Sequence, residues 1–425
     1  MWIRPILREN TANIGGIFCL ECLDFSLTKG PKTGIVLGLM KISMIGQKGI
    51  PAQFGGVETH VLELATRLTR LGHSVTAYGR SWYVPKGTDR VNGIEVIRTP
   101  SIHTKHLDTI SASLFAVLHA IIFVRPDVYH FHGVGPSLLA WIPRVFSPRA
   151  TIVTTFHSID RTHEKWGWFS RFMLRLGERA AFAFADETIA VSKTLTKYAE
   201  KEYGRRAMYI PNGITPVRTS VDPLLLSPFE LEPFHYVAMI ARLVPHKGAH
   251  TLIAAWQLAK QRAPEAMSDL KLAIVGGSAF TDAYVRKLHA MAAFDDSIVF
   301  TGFQRADTLT ALFSGARFMV HPSVSEGLPI AVLEEMSHGK AVIAADIPET
   351  MEVVADYGVP FPQGDVEALA DNIITLAADQ MQAAAIGHAA RTFVESEYHW
   401  DDVAQETVSL YRRHAMVRQG AFAVR

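Results

Sequence analysis

Lys41-Ile-Ser-Met-Ile-Gly46-Gln-Lys-Gly-Ile-Pro-Ala-Gln-Phe-Gly-Gly56 is the stretch that decides the fold. An apolar run suited to a buried strand ends in a glycine loop. Val57 to Leu71 follows, with Val57, Val61, Leu64, Ala65, Leu68 and Leu71 on one helical face, and Gly72 stops it. Strand, glycine loop and amphipathic helix make the first half of a βαβ unit. Working outward, the unit repeats. Candidate strands lie at 41–46, 73–79, 94–98, 127–132, 150–156, 187–191 and 207–210. The segment 214–234 breaks the pattern with Pro216, Pro223, Pro228 and Pro233, which predicts a linker. A second series opens at Tyr236-Val-Ala-Met-Ile-Ala241 and continues at 270–276, 297–303, 317–321 and 341–345. The predicted fold class is α/β, with two doubly wound, Rossmann-like domains of parallel strands. Ligands of such sheets sit outside the carboxyl ends of the strands, so two of them enclose a cleft.

Composition agrees and excludes other classes. A chain of 425 residues with 48% apolar and 20% charged residues has the length for two or three domains and is neither disordered nor fibrous. The longest uncharged apolar stretch, near Leu114 to Val124, is too short to span a bilayer. Residues 1–39 lack helical or strand periodicity and the continuous apolar core of a secretory signal. They hold the only cysteines, Cys19 and Cys22, with no second pair at metal-ligand spacing. We expect this stretch to be an irregular extension, upstream of a natural start at Met40, and a cytoplasmic location. Translation from Met40 is expected to give an equally stable and active protein, checked by thermal melting and turnover; loss of folding would reject that start.

Charge is balanced only on average. Residues 41–212 carry 22 Lys+Arg against 13 Asp+Glu, a net +9, whereas 213–425 carry 16 against 25, a net −9. The split suggests different partners for the two halves, the first an anionic one. No nucleic-acid partner is expected.

Three loops hold the chemistry. Ser325-Glu-Gly-Leu-Pro-Ile-Ala-Val-Leu-Glu-Glu-Met-Ser-His-Gly339 follows the candidate strand 317–321, with Pro329 suited to the first residue of a helix. Glu326 in the loop and Glu334 in the helix have backbones on the order of 10 Å apart, about the span from a hexose to the ribose of one nucleotide-sugar. The helix N-terminus between them, at Gly327, Leu328, Pro329 and Ile330, suits a diphosphate. In Ala241-Arg-Leu-Val-Pro-His-Lys-Gly248, Arg242 and Lys247 leave a strand end where two fixed cations can neutralise that diphosphate. In the loop after the first strand, Gly55-Gly56 permits close backbone approach; it is not G-x-G-x-x-G, which removes the main support for a dinucleotide-binding reading. His157 ends Ile152-Val-Thr-Thr-Phe156, at the carboxyl edge of a strand.

Together, Gly55-Gly56, Arg242 with Lys247, and Glu326 with Glu334 resemble the retaining glycosyltransferases of family 4, which have the GT-B fold. The resemblance runs from Lys41 to about Arg413. It implies an acceptor-binding domain over 40–213 plus 400–425, the linker 214–234, and a donor-binding domain over 235–399, with Trp400 to Arg413 as a helix crossing back onto the first half. It also implies that Glu326 contacts hydroxyls of the transferred sugar, Glu334 the ribose, and Arg242 and Lys247 the diphosphate. Gly56 would close from the opposite domain and His157 would stand beside the reacting sugar. Asn212-Gly213 looks like the interdomain turn, where substrate contact and a purely structural role both stay open. Val275-Gly-Gly-Ser278-Ala-Phe-Thr-Asp282 departs from the G-x-G loop of many relatives. With Gln47-Lys-Gly-Ile and Thr104-Lys-His-Leu-Asp-Thr, it resembles a bacterial subgroup of cell-surface polysaccharide assembly.

The implied activity is retaining transfer of a hexose from a UDP-linked donor to a saccharide or polyprenyl-linked acceptor. An epimerase acting on nucleotide-sugars and a non-catalytic donor-binding scaffold are the competing readings. No D-x-D occurs in the sequence, so we expect no metal and no other cofactor, with Arg242, Lys247 and helix amides in the electrostatic role. Residues 161–180 hold five Lys+Arg, two Glu and the aromatics Trp166, Trp168, Phe169 and Phe172. Such a segment suits the anionic inner face of the plasma membrane; packing of the aromatics under the first sheet is the equal alternative.

Overall fold

In the computed structural model, the described residues are 38–104, 107–159, 161, 167–217, 221–279 and 281–422. Cys19, Cys22, Trp166, Lys105, His106 and Phe280 lie outside them.

The first series folds into one sheet whose strands are β1 (Lys41–Ile45), β2 (Ser74–Arg80), β3 (Arg90–Val91), β4 (Ile94–Thr99), β5 (Val128–His132), β6 (Thr151–Phe156), β7 (Glu187–Ala190) and β8 (Met208–Tyr209). Their spatial order is β3-β4-β2-β1-β5-β6-β7-β8, parallel except for the β3–β4 pair. The second sheet holds β9 (Tyr236–Ile240), β10 (Lys271–Val275), β11 (Ile298–Gly302), β12 (Met319–His321), β13 (Val342–Ala345) and β14 (Val359–Phe361), all parallel, ordered β11-β10-β9-β12-β13-β14. Central strands covered on both faces read as continuous apolar runs. In β1, Ile42, Met44 and Ile45 are fully buried, and in β9 Tyr236, Val237 and Ala238 are.

Five helices of the first half are α1 (Gly56–Arg70), α2 (Asp108–His119), α3 (Val134–Ser137), α4 (Trp141–Phe146) and α5 (Trp168–Ala183). The face of α1 built on Val61, Leu64, Ala65 and Leu68 enters the core with Ile42 and Met44. The same core contains Trp400, Val403, Ala404 and Tyr411 of the closing helix Trp400–Phe422. That helix belongs to the second half by sequence and to the first by packing.

The chain crosses between halves twice, and the two crossings are stitched together. The Ile214 N–H donates to the Tyr398 carbonyl at 2.8 Å, and a Cβ added to Gly213 would lie 2.5 Å from the Trp400 nitrogen. Only a residue without a side chain fits at Gly213. The expected linker 214–234 is a linker only in part. Asp222 caps the helix Pro223–Leu226, and Leu226 and Leu231 are buried in the core shared with Tyr236 and Leu312. Pro223 and Pro228 start short helices on the second half rather than keeping the chain extended. Sequence periodicity missed β3 and β14; both are edge strands of two or three residues, and Pro360 masks the second.

Candidate active site

The loops that follow β9 and β12 are locked to each other. Past β9, a Cβ added to Gly248 would meet the Pro322 carbonyl oxygen at 2.2 Å, and Gly248 itself has φ +76°. Val324 donates its N–H to the His246 carbonyl at 2.9 Å, and the Ser323 hydroxyl donates to the same oxygen at 3.2 Å. This brings Lys247 onto Glu326: its Nζ pairs with Oε1 of the carboxylate, and both side chains are largely buried. His321, at the end of β12, holds the same oxygen from the other side, with Nε2 at 2.9 Å. Its Nδ1 lies 3.7 Å from Oε1 of Glu335 on the helix Ile330–Ser337.

Electrostatics follow from this packing. Burial opposes charge on Glu326, but Lys247 and His321 override it and hold the carboxyl well below the usual range. Burial likewise lowers His321, yet its hydrogen bond to Glu326 and the nearby Glu335 carboxylate raise it to about 9. Glu326 is thus a permanent anion pinned between two cations. Glu334, half-buried, has the opposite fate: burial first, then the carboxylates of Glu335 and Glu63, push it up to about 7. Arg242 is exposed at the end of β9, outside the Lys247–Glu326–His321 cluster.

The first half contributes histidines. Tyr129-His-Phe-His132 alternates aromatic and imidazole along β5, so His130 and His132 share the sheet face covered by α1 and the closing helix. His132 Nδ1 lies 3.3 Å from His157 Nε2, and the His60 and His157 rings are 4.7 Å apart at 80°. His60 spends Nδ1 on Asn212 Oδ1 at 2.8 Å, while its Nε2 is buried with no hydrogen-bond partner. Burial, then neighbouring imidazoles, lower His157 well below its ordinary value, so it is neutral at physiological pH. The three facing ring nitrogens of His60, His132 and His157 lie within 4.8 Å of one another, a donor set that can hold a metal ion.

The two groups meet. Glu326 is followed by Gly327, and a Cβ added there would lie 1.6 Å from the His157 carbonyl oxygen. The loop after β12 therefore rests backbone to backbone on the residue after β6. Asn212 reinforces the contact, donating its Nδ2 to the Leu328 carbonyl at 3.1 Å while holding His60. Its amide bridges the halves. Across the same seam, a Cβ built on Gly56 would come 3.7 Å from Ile330 Cδ1, so the N-terminus of α1 faces that of the Ile330–Ser337 helix. Gly55 caps α1 with φ +107°, and a side chain there would strike Glu58, whose Oε1 accepts the Lys48 N–H at 2.9 Å. Pro329 sits at the cap of its helix, one residue earlier than the sequence suggests. Sequence reasoning missed His60, His132 and His321; for His132 and His321 the visible signal was a polar residue at the end of a buried apolar strand, and for His60 a polar residue on the buried face of α1.

Sequence comparison decides the family. The model described as Glycosyltransferase Family 4 matches residues 54–218, and that of Glycosyl transferases group 1 matches 235–379. The chain belongs to glycosyltransferase family 4. It is a retaining hexosyltransferase on the GT-B fold. Among its relatives is the GDP-mannose-dependent alpha-(1-6)-phosphatidylinositol monomannoside mannosyltransferase of Mycobacterium tuberculosis, 28% identical over 85% of this chain and 96% of that one. An alpha-maltose-1-phosphate synthase of Mycolicibacterium smegmatis is 27% identical over 88% of this chain and 99% of its own. Among solved structures, Anabaena HepE in complex with UDP and glucose superposes with TM-score 0.72 at 22% identity, covering 88% of this chain and 100% of that one. That likeness is one of fold.

If Glu334 takes the donor ribose, as the resemblance implies, donor binding by this family 4 enzyme is pH-dependent: a ribose diol donates hydrogen bonds, so it needs the carboxylate form, which is lost as pH falls through about 7. Calorimetric titration with UDP-glucose, whose diphosphate does not itself titrate there, is expected to show affinity falling about tenfold per pH unit below that point. Glu334→Gln should flatten the profile. An unchanged slope in that variant would remove Glu334 from the donor site.

Proposed function

We propose that the enzyme moves a hexose from a UDP-linked donor to a saccharide or polyprenyl-linked acceptor, without metal, in cell-surface polysaccharide assembly at the inner face of the plasma membrane. The observation that carries this is the contact of Gly327 with the His157 backbone, which sets the Lys247–Glu326–His321 cluster against the carboxyl edge of the first sheet.

The chemistry then follows residue by residue. Lys247, held by Glu326 before the donor arrives, passes to the entering diphosphate, and Arg242 adds a second cation from the strand end. Together with amides at the start of the Ile330–Ser337 helix they stabilise the departing nucleotide diphosphate. Glu326, still anionic through His321, accepts hydrogen bonds from hydroxyls of the transferred sugar. Glu334 takes the ribose, and Gly55-Gly56 lets the backbone of α1 close on the phosphates from the other half. His157 is neutral, so it hydrogen-bonds the sugar without competing for the phosphate. The acceptor hydroxyl attacks from the leaving-group side and gives its proton to the departing phosphate oxygen, which retains configuration. UDP is the nucleotide named for HepE, and GDP-mannose that of the mycobacterial relative; UDP is our assignment.

The test is incubation with a panel of nucleotide-sugars, measuring thermal shift and slow donor hydrolysis. A UDP-hexose should shift melting most; a GDP-sugar doing so instead would overturn the nucleotide assignment. Turnover should survive EDTA, because Lys247 and Arg242 replace the ion. Strict dependence on Mn²⁺ or Mg²⁺ would reject metal independence, and loss restored by Zn²⁺ would point to the His60–His132–His157 cluster.

The membrane part of the reading rests on α5. Its aromatics Trp168, Phe169 and Phe172 do not pack under the sheet: they are 82%, 59% and 53% exposed. Among the described residues no helix is long and apolar enough to cross a membrane.

A further inference from the structure

The exposed aromatics of α5 are one edge of a larger surface. The crossovers β4–α2–β5, β5–α3–α4–β6 and β6–α5–β7 run in the same direction across the first sheet. Right-handed connection therefore puts α2 to α5 on one face, with α2 touching α3 and α3 touching α5. The opposite face is taken by α1 and the closing helix, which pack on each other. Along the α2–α5 layer the solvent side is apolar where a soluble face would be polar. Phe115 is 46% exposed, Ile122 56%, Phe123 73% and Phe146 65%. The apolar stretch near Leu114 to Val124, too short to span a bilayer, forms the end of α2 and the π-helical turn Ala120–Val124 within this layer.

The exposed charge on these helices has one sign; Asp108 of α2 is buried and paired with Arg80 at 2.6 Å. Arg171, Arg175 and Arg179 stand at i, i+4 and i+8 on α5 and are exposed. The single carboxylate of α5, Glu178, has a fully buried side chain that accepts from Tyr198 at 2.8 Å and pairs with Arg161 at 3.3 Å. Between α2, α4 and α5 lies a groove of about 420 Å³ whose lining includes Ile110, Leu138, Trp141, Leu176 and Ala183; Arg179 is its one charged residue. A sugar or a nucleotide needs several polar partners and finds none here. A hydrocarbon chain carrying one anionic group finds both halves of its chemistry met.

We propose that the α2–α5 layer lies on the anionic bilayer and that its groove binds one membrane lipid, the hydrocarbon chain between α2, α4 and α5 and the phosphate at Arg179. This rests on the membrane reading given above and deepens it by naming a lipid site. The carboxylate-free basic stripe favours a lipid over a protein partner, because exposed apolar residues edged by fixed cations match an acyl and phosphate boundary.

The experiment uses the full chain in two arms. In flotation with phosphatidylcholine vesicles, with and without phosphatidylglycerol, binding should need the anionic lipid and fall at least tenfold in R171Q/R175Q/R179Q. In calorimetry below its micellar concentration, geranylgeranyl phosphate should bind saturably, and at least tenfold more weakly to Ala183→Trp, which fills the groove from an exposed site, and to Arg179→Gln. Inorganic phosphate alone should give no binding. Both variants should keep the donor-induced thermal shift and slow donor hydrolysis of the parent, which shows that they fold. Equal affinity of Ala183→Trp and parent for geranylgeranyl phosphate, with vesicle binding intact, overturns the groove and leaves the membrane reading standing. Binding of neutral geranylgeraniol as tight as the phosphate overturns the role of Arg179. No vesicle binding at all overturns both readings and assigns the face to a protein partner.

Discussion

Gly327→Ala is expected to lower kcat/KM by about 10²-fold or more while costing little stability. The glycine is not needed for its φ; it is needed because a methyl there would sit 1.6 Å from the His157 carbonyl oxygen. Real contacts of that kind stay beyond 3.0 Å, so loop and strand end must part by at least 1.4 Å. Both partners are backbone, and neither can swing aside as a side chain would. A misplacement of about 1 Å between reacting groups costs on the order of 10² in rate. The clash lies beside Phe156 and Leu328 of one core, while the cores around Trp256 in the second half and Ile42 in the first contain neither, so melting should fall by only a few degrees. Steady-state kinetics and thermal melting check both parts. A variant with more than about a third of parental kcat/KM would mean that the seam is not catalytic.

The second large effect is expected at Glu326 and His157. Glu326→Gln keeps the shape but removes the anion that Lys247 and His321 hold in place. Preorganised groups of this kind are worth roughly 10² to 10³ in kcat, and we expect a loss in that range. The raised His321 should fall back toward an ordinary value once its carboxylate partner is neutral, which NMR titration of the ring can follow. His157→Ala should lose turnover by a similar factor, since it removes the imidazole proposed to stand beside the sugar but leaves the backbone contact with Gly327. Near-normal turnover in both variants would refute the site.

The alternation of strands and helices was legible because parallel sheets covered on both faces leave continuous apolar runs, as in Lys41–Ile45 and Tyr236–Ile240. The loop and helix carrying Glu326, Pro329 and Glu334 were legible because these residues lie on one continuous segment. What stayed hidden was long-range. Lys247 lies 79 positions from Glu326 and 74 from His321, separations that no local pattern reports; the packing of Gly248 on Pro322 and the hydrogen bonds to the His246 carbonyl bring them together. Asn212 could not be assigned because its two partners, His60 and Leu328, come from opposite halves. The linker was overread because prolines that start short helices look, in sequence, like prolines that keep a chain extended.

The central claim is that the donor loop and the edge of the first sheet act on one sugar. A double-mutant cycle on Glu326→Gln and His157→Ala, read as kcat for transfer under saturating donor, tests it most directly. Groups acting on the same transition state are strongly non-additive. The double variant should therefore be no more than about tenfold slower than the worse single variant. Losses that multiply, giving roughly 10⁵ when each alone costs 10² to 10³, would contradict a shared site.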